Sequence, residues 1–291
     1  MKIALIGCGE VGHCYARAWT AAGHAIVGIG ELRQDSEMTA RAQAVGAGLH
    51  AEPGSWLAQA DVVVSAVYGY NAGEVARHAF PHLRAGAVYA DFTTASAADM
   101  QAAAAAAAPW PVSFTDVAIM GAIALLAEKT PLLCAGDGSQ AVAALGESAG
   151  APVRIIDGKP GDAVRLKLLR SVMTKGMESL AVECMVAAER MGLRASLYEV
   201  LADIDRTPLT AFMDSFVRSH VLHAPRRLAE VREARDQLHE AGLEPLVLNG
   251  VEQLFNRTTQ GIHAARAGGQ AEAPDSVEAR LAWLTTLARQ P

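Results

Sequence analysis

Several things are scarce in this chain, and each scarcity excludes a class of function. Basic residues do not dominate: 25 Lys and Arg stand against 31 Asp and Glu, a net charge of -6. No Lys/Arg cluster marks a basic face, so nucleic acid is not expected as a partner. The apolar runs are too short to span a bilayer, so no membrane is expected either. The first residues read as a strand rather than a charged segment followed by an apolar one and a cleavage site. That predicts a cytoplasmic protein. The four cysteines, Cys8, Cys14, Cys134 and Cys184, are scattered without metal or CxxC spacing. Reduced thiols and no metal site are therefore expected. What remains is a soluble, globular composition, 51% hydrophobic over 291 residues, which is enough for two domains.

The first half alternates short β-rich runs with helical stretches. Strands are predicted at Lys2–Ile6, Ala25–Ile29, Asp61–Val67, Ala87–Asp91, Phe114–Ala118 and Pro131–Ala135. Helices are predicted at Val11–Ala22, Met38–Val45, Asn71–His82 and Ala97–Ala108, the last an alanine-rich surface helix. This alternation predicts a parallel sheet covered on both faces. After about residue 160 the strand signals vanish. A long helix is predicted over Asp162–Met191, ended by Gly192, with Leu166, Leu169, Met173, Met177 and Leu180 as one buried stripe. Further helices are predicted at Leu197–Ile204, Pro208–Val221, Pro225–Ala241, Pro245–Ala267 and Ser276–Gln290. The expected class is α/β: an N-terminal doubly wound Rossmann sheet over 1–160, then an all-helical substrate and dimerisation domain over 161–291. The loop Asp157–Asp162 is the expected boundary.

The motif Gly7-x-Gly9-x-x-Gly12 follows a strand and opens a helix. In that context the first glycine permits a tight turn, the second lets backbone approach a pyrophosphate, and the third lets helix pack on strand. The phosphates would face free N–H groups at the helix start, around Gly9, Glu10, Val11 and Gly12. The chain is therefore expected to bind NAD(P). Glu31, about twenty residues past the motif, is the candidate for the ribose and favours NAD. Arg33 could instead hold a 2′-phosphate, or both could be solvated loop charges. Val67, Tyr68 and Thr93, at later strand ends, are further cofactor candidates.

Three more segments carry a family resemblance. Asp91-Phe92-Thr93-Thr94 resembles the D-x-S-T motif of the β-hydroxyacid dehydrogenases, a family that includes 3-hydroxyisobutyrate and 6-phosphogluconate dehydrogenases. Asp116 to Ala122 resembles their D-A-P-V-S-G-G segment, and Lys167 falls where the family's catalytic lysine opens the long interdomain helix. The blocks Lys167 to Gly176 and His223 to Glu230 are similar to a subgroup with a C-terminal domain of poorly defined function. The family asparagine, four residues past the lysine, is here Ser171, a shorter donor without fixed amide geometry.

The resemblance implies an NAD(P)-dependent oxidoreductase acting on a hydroxy acid or related carbonyl, and a homodimer formed through the C-terminal helices. Lys167 would be general acid/base, with Ser171 and Thr93 assisting. Thr94, Gly121, Ala122, Arg170, Lys175, His223 and Arg226 would contact substrate. The helical spacing of Arg170 and Lys175 makes one face cationic, which suits an anionic small molecule. Simpler roles exist for each: Lys167 as a solvated helix lysine, Arg226 paired with Glu230 or Glu233, His223 as a surface residue, and Thr93 and Thr94 as a strand terminus. Rival functions are imine reduction, oxidative decarboxylation of a 3-hydroxy acid, and a non-catalytic NAD(P)-binding sensor.

Overall fold

The computed structural model describes residues 1–202, 204–269 and 276–288. In chain order the first unit contains β1 (Lys2–Ile6), α1 (Glu10–Ala21), β2 (Ala25–Gly30), α2 (Ser36–Ala44), β3 (Leu49–His50), β4 (Val62–Ser65), α3 (Ala72–Ala79), β5 (Val88–Asp91), α4 (Ala97–Ala107), β6 (Ser113–Ile119), α5 (Ile123–Leu126), β7 (Leu132–Gly136), α6 (Ser139–Ser148) and β8 (Val153–Ile155). Next come α7 (Asp162–Arg190), α8 (Arg194–Val200), α9 (Leu209–Glu240), α10 (Leu246–Ala267) and α11 (Val277–Ala288). The expected class forms: a Rossmann sheet followed, among the described residues, by helices alone. Two compact units, Met1–Val172 and Met173–Pro291, divide within α7.

One eight-stranded sheet has the order β3-β2-β1-β4-β5-β6-β7-β8. Consecutive residues of β1 feed opposite faces: Ile3 and Leu5 join a core with Trp19, Ile29 and Val117, while Ala4 and Ile6 join one with Val63, Tyr89 and Phe114. Both parities are apolar because helices cover both faces, which is how a parallel sheet is buried. On the first face Tyr15 stacks on Trp19 at 5.3 Å and meets Phe92 edge-on at 5.6 Å. The Trp19 indole also donates to the Leu145 carbonyl at 3.1 Å. Deleting so large a buried ring would cost about 3–5 kcal/mol.

Several expectations are corrected. The sheet is not wholly parallel: β7 runs antiparallel to β6, with Val117 opposite Cys134. The short strands β3 and β8 and the helix α6 carried no clear sequence signal. The expected helix over 71–82 shortens to α3 flanked by 3-10 turns, because Pro81 ends regular α-helical bonding. The two helices expected on either side of residue 223 are one, α9, running through Pro225. Proline there removes one ladder bond, a cost of about 3 kcal/mol. Val221, Ala224 and Leu228 are buried on the continuous face and offset it.

The alanine run of α4 starts at a capping box. Ser96 Oγ accepts the Asp99 amide at 3.1 Å, and the Asp99 carboxylate accepts the Ser96 amide at 3.2 Å. One face of this helix, at Met100, Ala103 and Ala107, is buried. The apolar stripe of α7 is not buried within the chain: Leu166, Leu169, Met177 and Leu180 are exposed. Among the described residues, these side chains keep from 44% to 64% of their surface exposed. The last helix ends at Ala288, and the expected end at Gln290 lies outside the described residues, as does position 203 in the expected helix ending at Ile204. Among the described residues, no helix is long and apolar enough to cross a membrane.

Candidate active site

Parallel strands β1, β4, β5 and β6 bring their carboxyl ends to one edge, and the strand order reverses between β1 and β4. Ligands of open α/β sheets bind at such a point. The glycine motif sits there, and its three glycines divide their roles. Gly7 has φ +94°, and a Cβ on it would lie 2.6 Å from the Ala66 carbonyl oxygen. Its amide donates to Gly30 at 2.8 Å, closing the turn onto β2. A Cβ on Gly12 would lie 2.1 Å from the Gly7 carbonyl oxygen, so helix and strand touch there. A Cβ on Gly9 would meet nothing within 4 Å. That open position is where the backbone can approach a pyrophosphate. Gly9 caps α1 without a side-chain acceptor, which leaves the first amides, from Glu10 and Val11 onward, to a bound anion.

Glu31 spans the end of β2 and this turn. Its Oε2 accepts the Cys8 amide at 2.9 Å, and its Oε1 accepts the Arg33 amide at 3.2 Å. The Arg33 guanidinium points elsewhere, to Asp35 at 3.7 Å and Glu37 at 3.4 Å. Arg41 links the Cys8 carbonyl, at 2.7 Å, to Glu37, at 2.6 Å.

After β4, Val67 is half-buried and Tyr68 is exposed. Tyr68 stacks on exposed Tyr70 with rings 5.5 Å apart and 6° from parallel. Between them, Gly69 lies so near Thr94 and Ala95 that a Cβ would come within 2.9 Å of the Ala95 nitrogen. The β4 and β5 loops therefore form one packed wall.

The two threonines after β5 face opposite ways. Thr93 is buried, its amide donates to Asp91 Oδ1 at 2.8 Å, and its hydroxyl oxygen accepts the Ala95 amide at 3.2 Å. Thr94 is exposed, and its hydroxyl accepts a hydrogen bond from Lys167 Nζ at 3.2 Å. Lys167 is half-buried. Burial pushes its ammonium below the usual lysine range, and the Asp116 charge opposes that shift. Asp116 on β6 accepts the Gly161 amide at 2.9 Å and the Val164 amide at 3.1 Å. It thereby fixes the start of α7 one turn before Lys167. Gly161 must be glycine: its φ is +100°, and a Cβ would meet the Ala97 carbonyl oxygen at 2.7 Å.

Gly121 and Ala122 are exposed just beyond β6, before α5. The same loop contains Ala127, which has φ 48°. That is a left-handed backbone rare outside glycine, and such strain gathers at ligand sites. On α7, Ser171 is half-buried and Arg170 exposed. In the second unit Lys175 and His223 are exposed, and Arg226 pairs with Glu230 one turn on. Thus the first unit joins the glycine turn to Glu31, and Thr94 to Lys167. Asp91 and Asp116 entered the sequence reading only as the first residues of two family-like motifs, with no role of their own, and Tyr70 did not enter it. An acid placed within an apolar strand, as in VYAD and FTDVAI, was the available signal for the first two.

A separate open cleft of about 820 Å³ runs along α1, lined by residues including Glu10, His13, Arg17, Arg41 and Glu128. Neither Thr94 nor Lys167 lines it.

Several solved structures share this fold. A conserved hypothetical protein from Sinorhizobium meliloti is 28% identical, with a TM-score of 0.63 over 99% of this chain and 96% of that one. A conserved protein of unknown function, described as structurally similar to 3-hydroxyacid dehydrogenases, is 27% identical, with a TM-score of 0.64 over 93% and 100%. An imine reductase variant from Myxococcus stipitatus, solved with NAD+, shares the fold at 15% identity, with a TM-score of 0.76 over 99% of both chains. Residues 188–258 match a domain of unknown function, DUF1932. Residues 2–147 match the NAD binding domain of 6-phosphogluconate dehydrogenase, and the chain belongs to that NAD(P)-binding, dehydrogenase-like family.

Proposed function

We propose that this protein is an NAD(P)-dependent oxidoreductase that interconverts a hydroxy acid, or a related alcohol, and its carbonyl compound. The observation that supports this reading most is the Lys167 ammonium, hydrogen-bonded to the Thr94 hydroxyl at 3.2 Å on the sheet edge where the glycine turn lies. The nicotinamide, when bound, supplies or takes the hydride. The chain must then supply the proton and stabilise charge on oxygen.

Lys167 suits both tasks. As an ammonium it donates a proton to a carbonyl oxygen that gains charge during reduction. Its half-buried position eases the loss of that proton, which the reverse reaction requires. Thr94 holds the amine in place. Exposed Gly121 and Ala122 leave room beside the strand ends, and Ser171, one turn after Lys167, can donate to a second substrate oxygen. Arg170, Lys175, His223 and Arg226 remain candidates for the anionic part of the substrate. Thr93, with its hydroxyl held inside, would act through the loop's shape.

Glu31 favours NAD over NADP. Its carboxylate lies at the turn, where it would accept from a ribose hydroxyl and repel a 2′-phosphate, while Arg33 is engaged by two acids. The exposed apolar face of α7 supports a homodimer in which a second copy covers Leu166 and Leu169. A second reading is reduction of a C=N bond, because an ammonium placed to protonate oxygen can equally protonate nitrogen. The deciding experiment is turnover of Lys167→Ala against wild type on matched oxo acids and cyclic imines. Unchanged rates in the variant would end the lysine mechanism, and activity on imines alone would select the second reading.

A further inference from the structure

Beneath the Lys167–Thr94 contact lie two buried acids. Asp91 ends β5, Asp116 lies in β6, and they are direct register partners in a parallel pair. Side chains of such partners share a face of the sheet on strands about 4.8 Å apart. Both residues are fully buried. Each uses one carboxyl oxygen on backbone amides. Asp91 Oδ1 takes the Thr93 amide, at the root of the loop that presents Thr94. Asp116 Oδ2 takes the Gly161 and Val164 amides, at the root of the helix that presents Lys167. Each also keeps one buried oxygen, Asp91 Oδ2 and Asp116 Oδ1, for which no described residue provides a donor.

We propose that Asp91 and Asp116 form a positioning pair for the Lys167–Thr94 contact and hold one proton between them, Asp116 as the carboxylate and Asp91 as the acid. Two buried carboxylates side by side would repel in a weakly screened interior. One proton turns the repulsion into an O–H···O⁻ bond between the two free oxygens. The roles divide by surroundings. Asp116 faces the Gly161, Ala163 and Val164 amides at the start of α7 and the Lys167 ammonium, all of which favour its charge; the Asp162 carboxylate and the Cys134 thiol are the other titratable groups near it. Asp91 has Ser65 as its register partner on β4 and faces Tyr89, Thr93 and Asp116, with no cation among them. Burial pushes the Asp91 carboxyl up to about 6, with the Thr93 hydrogen bonds lowering it and the Asp116 charge adding to the rise. Below about pH 6 the proton holds the end of β5 against the middle of β6, and with them the loop and helix that present the two partners.

The function assigned to this pair rests on the reading of Lys167 as the reacting lysine, but its test needs neither substrate nor cofactor. Wild type, Asp91→Asn and Asp116→Asn are melted across a pH series, and Lys167 acylation by trace acetic anhydride is followed by peptide mass spectrometry, with Lys129 and Lys159 as internal references. The wild-type melting temperature should fall as pH rises through about 6. In Asp91→Asn that fall should vanish, because the amide keeps the Thr93 contacts and donates permanently to Asp116. Asp116→Asn should raise Lys167 acylation at about pH 8 by roughly three- to tenfold by removing its nearest anion. Asp91→Asn should change it less than about twofold. Should either variant fail to fold, infrared spectra of wild type alone decide: a protonated-carboxyl band must persist at about pH 5.5, above the ordinary aspartate range.

A fall retained in Asp91→Asn, equal effects of both variants on Lys167, or no such band would overturn the proposal. If the pair behaves as stated while Lys167→Ala keeps full activity, only the functional reading fails.

Discussion

Lys167, in the second turn of α7, donates to the Thr94 hydroxyl of the loop after β5, two elements 73 residues apart that meet at 3.2 Å. The contact brings a cation of lowered proton affinity to the strand ends beside the glycine turn. Thr94→Val should keep the fold, since Thr94 is exposed, and should lower kcat more than it raises KM. The expected loss is about tenfold, the scale of one neutral-to-charged hydrogen bond. Steady-state kinetics with the best oxo-acid substrate measure it, and an effect confined to KM would place Thr94 in binding alone.

The glycine turn predicts two different failures. Gly12→Ala puts a Cβ against the Gly7 carbonyl oxygen at 2.1 Å, and neither backbone can yield cheaply. It should abolish dinucleotide binding and lower the melting temperature. Gly9→Ala meets nothing within 4 Å and should leave the melting temperature unchanged while weakening binding at least tenfold, because the methyl stands in the phosphate's place. Calorimetric titration with NADH alongside thermal melting separates the two. Equal behaviour of the variants would contradict the division of roles.

Cofactor choice should reside in Glu31. Glu31→Gln keeps an acceptor near the Cys8 amide and removes the charge. Affinity for NADPH should rise by about tenfold relative to NADH, the effect of losing one repulsive charge near the ribose. Fluorescence titration with both cofactors tests this, and an unchanged ratio would return the choice to Arg33.

Stability should depend on pH through Asp91. A carboxyl raised in the folded state binds its proton more tightly there than in the unfolded chain. The resulting stabilisation is complete below about pH 4, the ordinary aspartate value, and is lost as pH rises through about 6. The window spans about two pH units, or about 3 kcal/mol at most. Urea unfolding at both ends of that range measures it. Equal stability at the two ends would mean that Asp91 titrates normally.

How much of this was legible in the sequence depends on what each feature rests on. Gly7, Gly9 and Gly12 act through backbone shape alone, so spacing and a preceding strand sufficed. Lys167 was reached by register with a family, not from its own surroundings. The choice between Thr93 and Thr94 was not legible: it depends on the Asp91 carboxylate accepting the Thr93 amide and the Thr93 hydroxyl accepting the Ala95 amide, which turn that side chain inward. The Asp91–Asp116 pair needs the register of β5 on β6, which no local pattern encodes. Pro225 read as a break because the local cost is real, and the packing that offsets it comes from Val221, Ala224 and Leu228 together. The stripe of α7 was legible as apolar, but its spacing did not say that Leu166, Leu169, Met177 and Leu180 would be exposed.

That stripe carries its own test. Leu169 is 64% exposed in the single chain, unusual for a leucine flanked by other exposed apolar residues. Light scattering should give twice the mass of the 30.5 kDa chain, and Leu169→Glu should shift the population toward monomer. A wild-type monomer at micromolar concentration would count against the dimer.

The most direct measurement is oxidation of NADH and NADPH by wild type and Lys167→Ala over one panel of short oxo acids and cyclic imines, with cofactor affinity determined in parallel. The account predicts wild-type turnover, a loss of at least about a hundredfold in the variant, the scale of a lost general acid, and unchanged cofactor affinity. A variant as fast as wild type would contradict it.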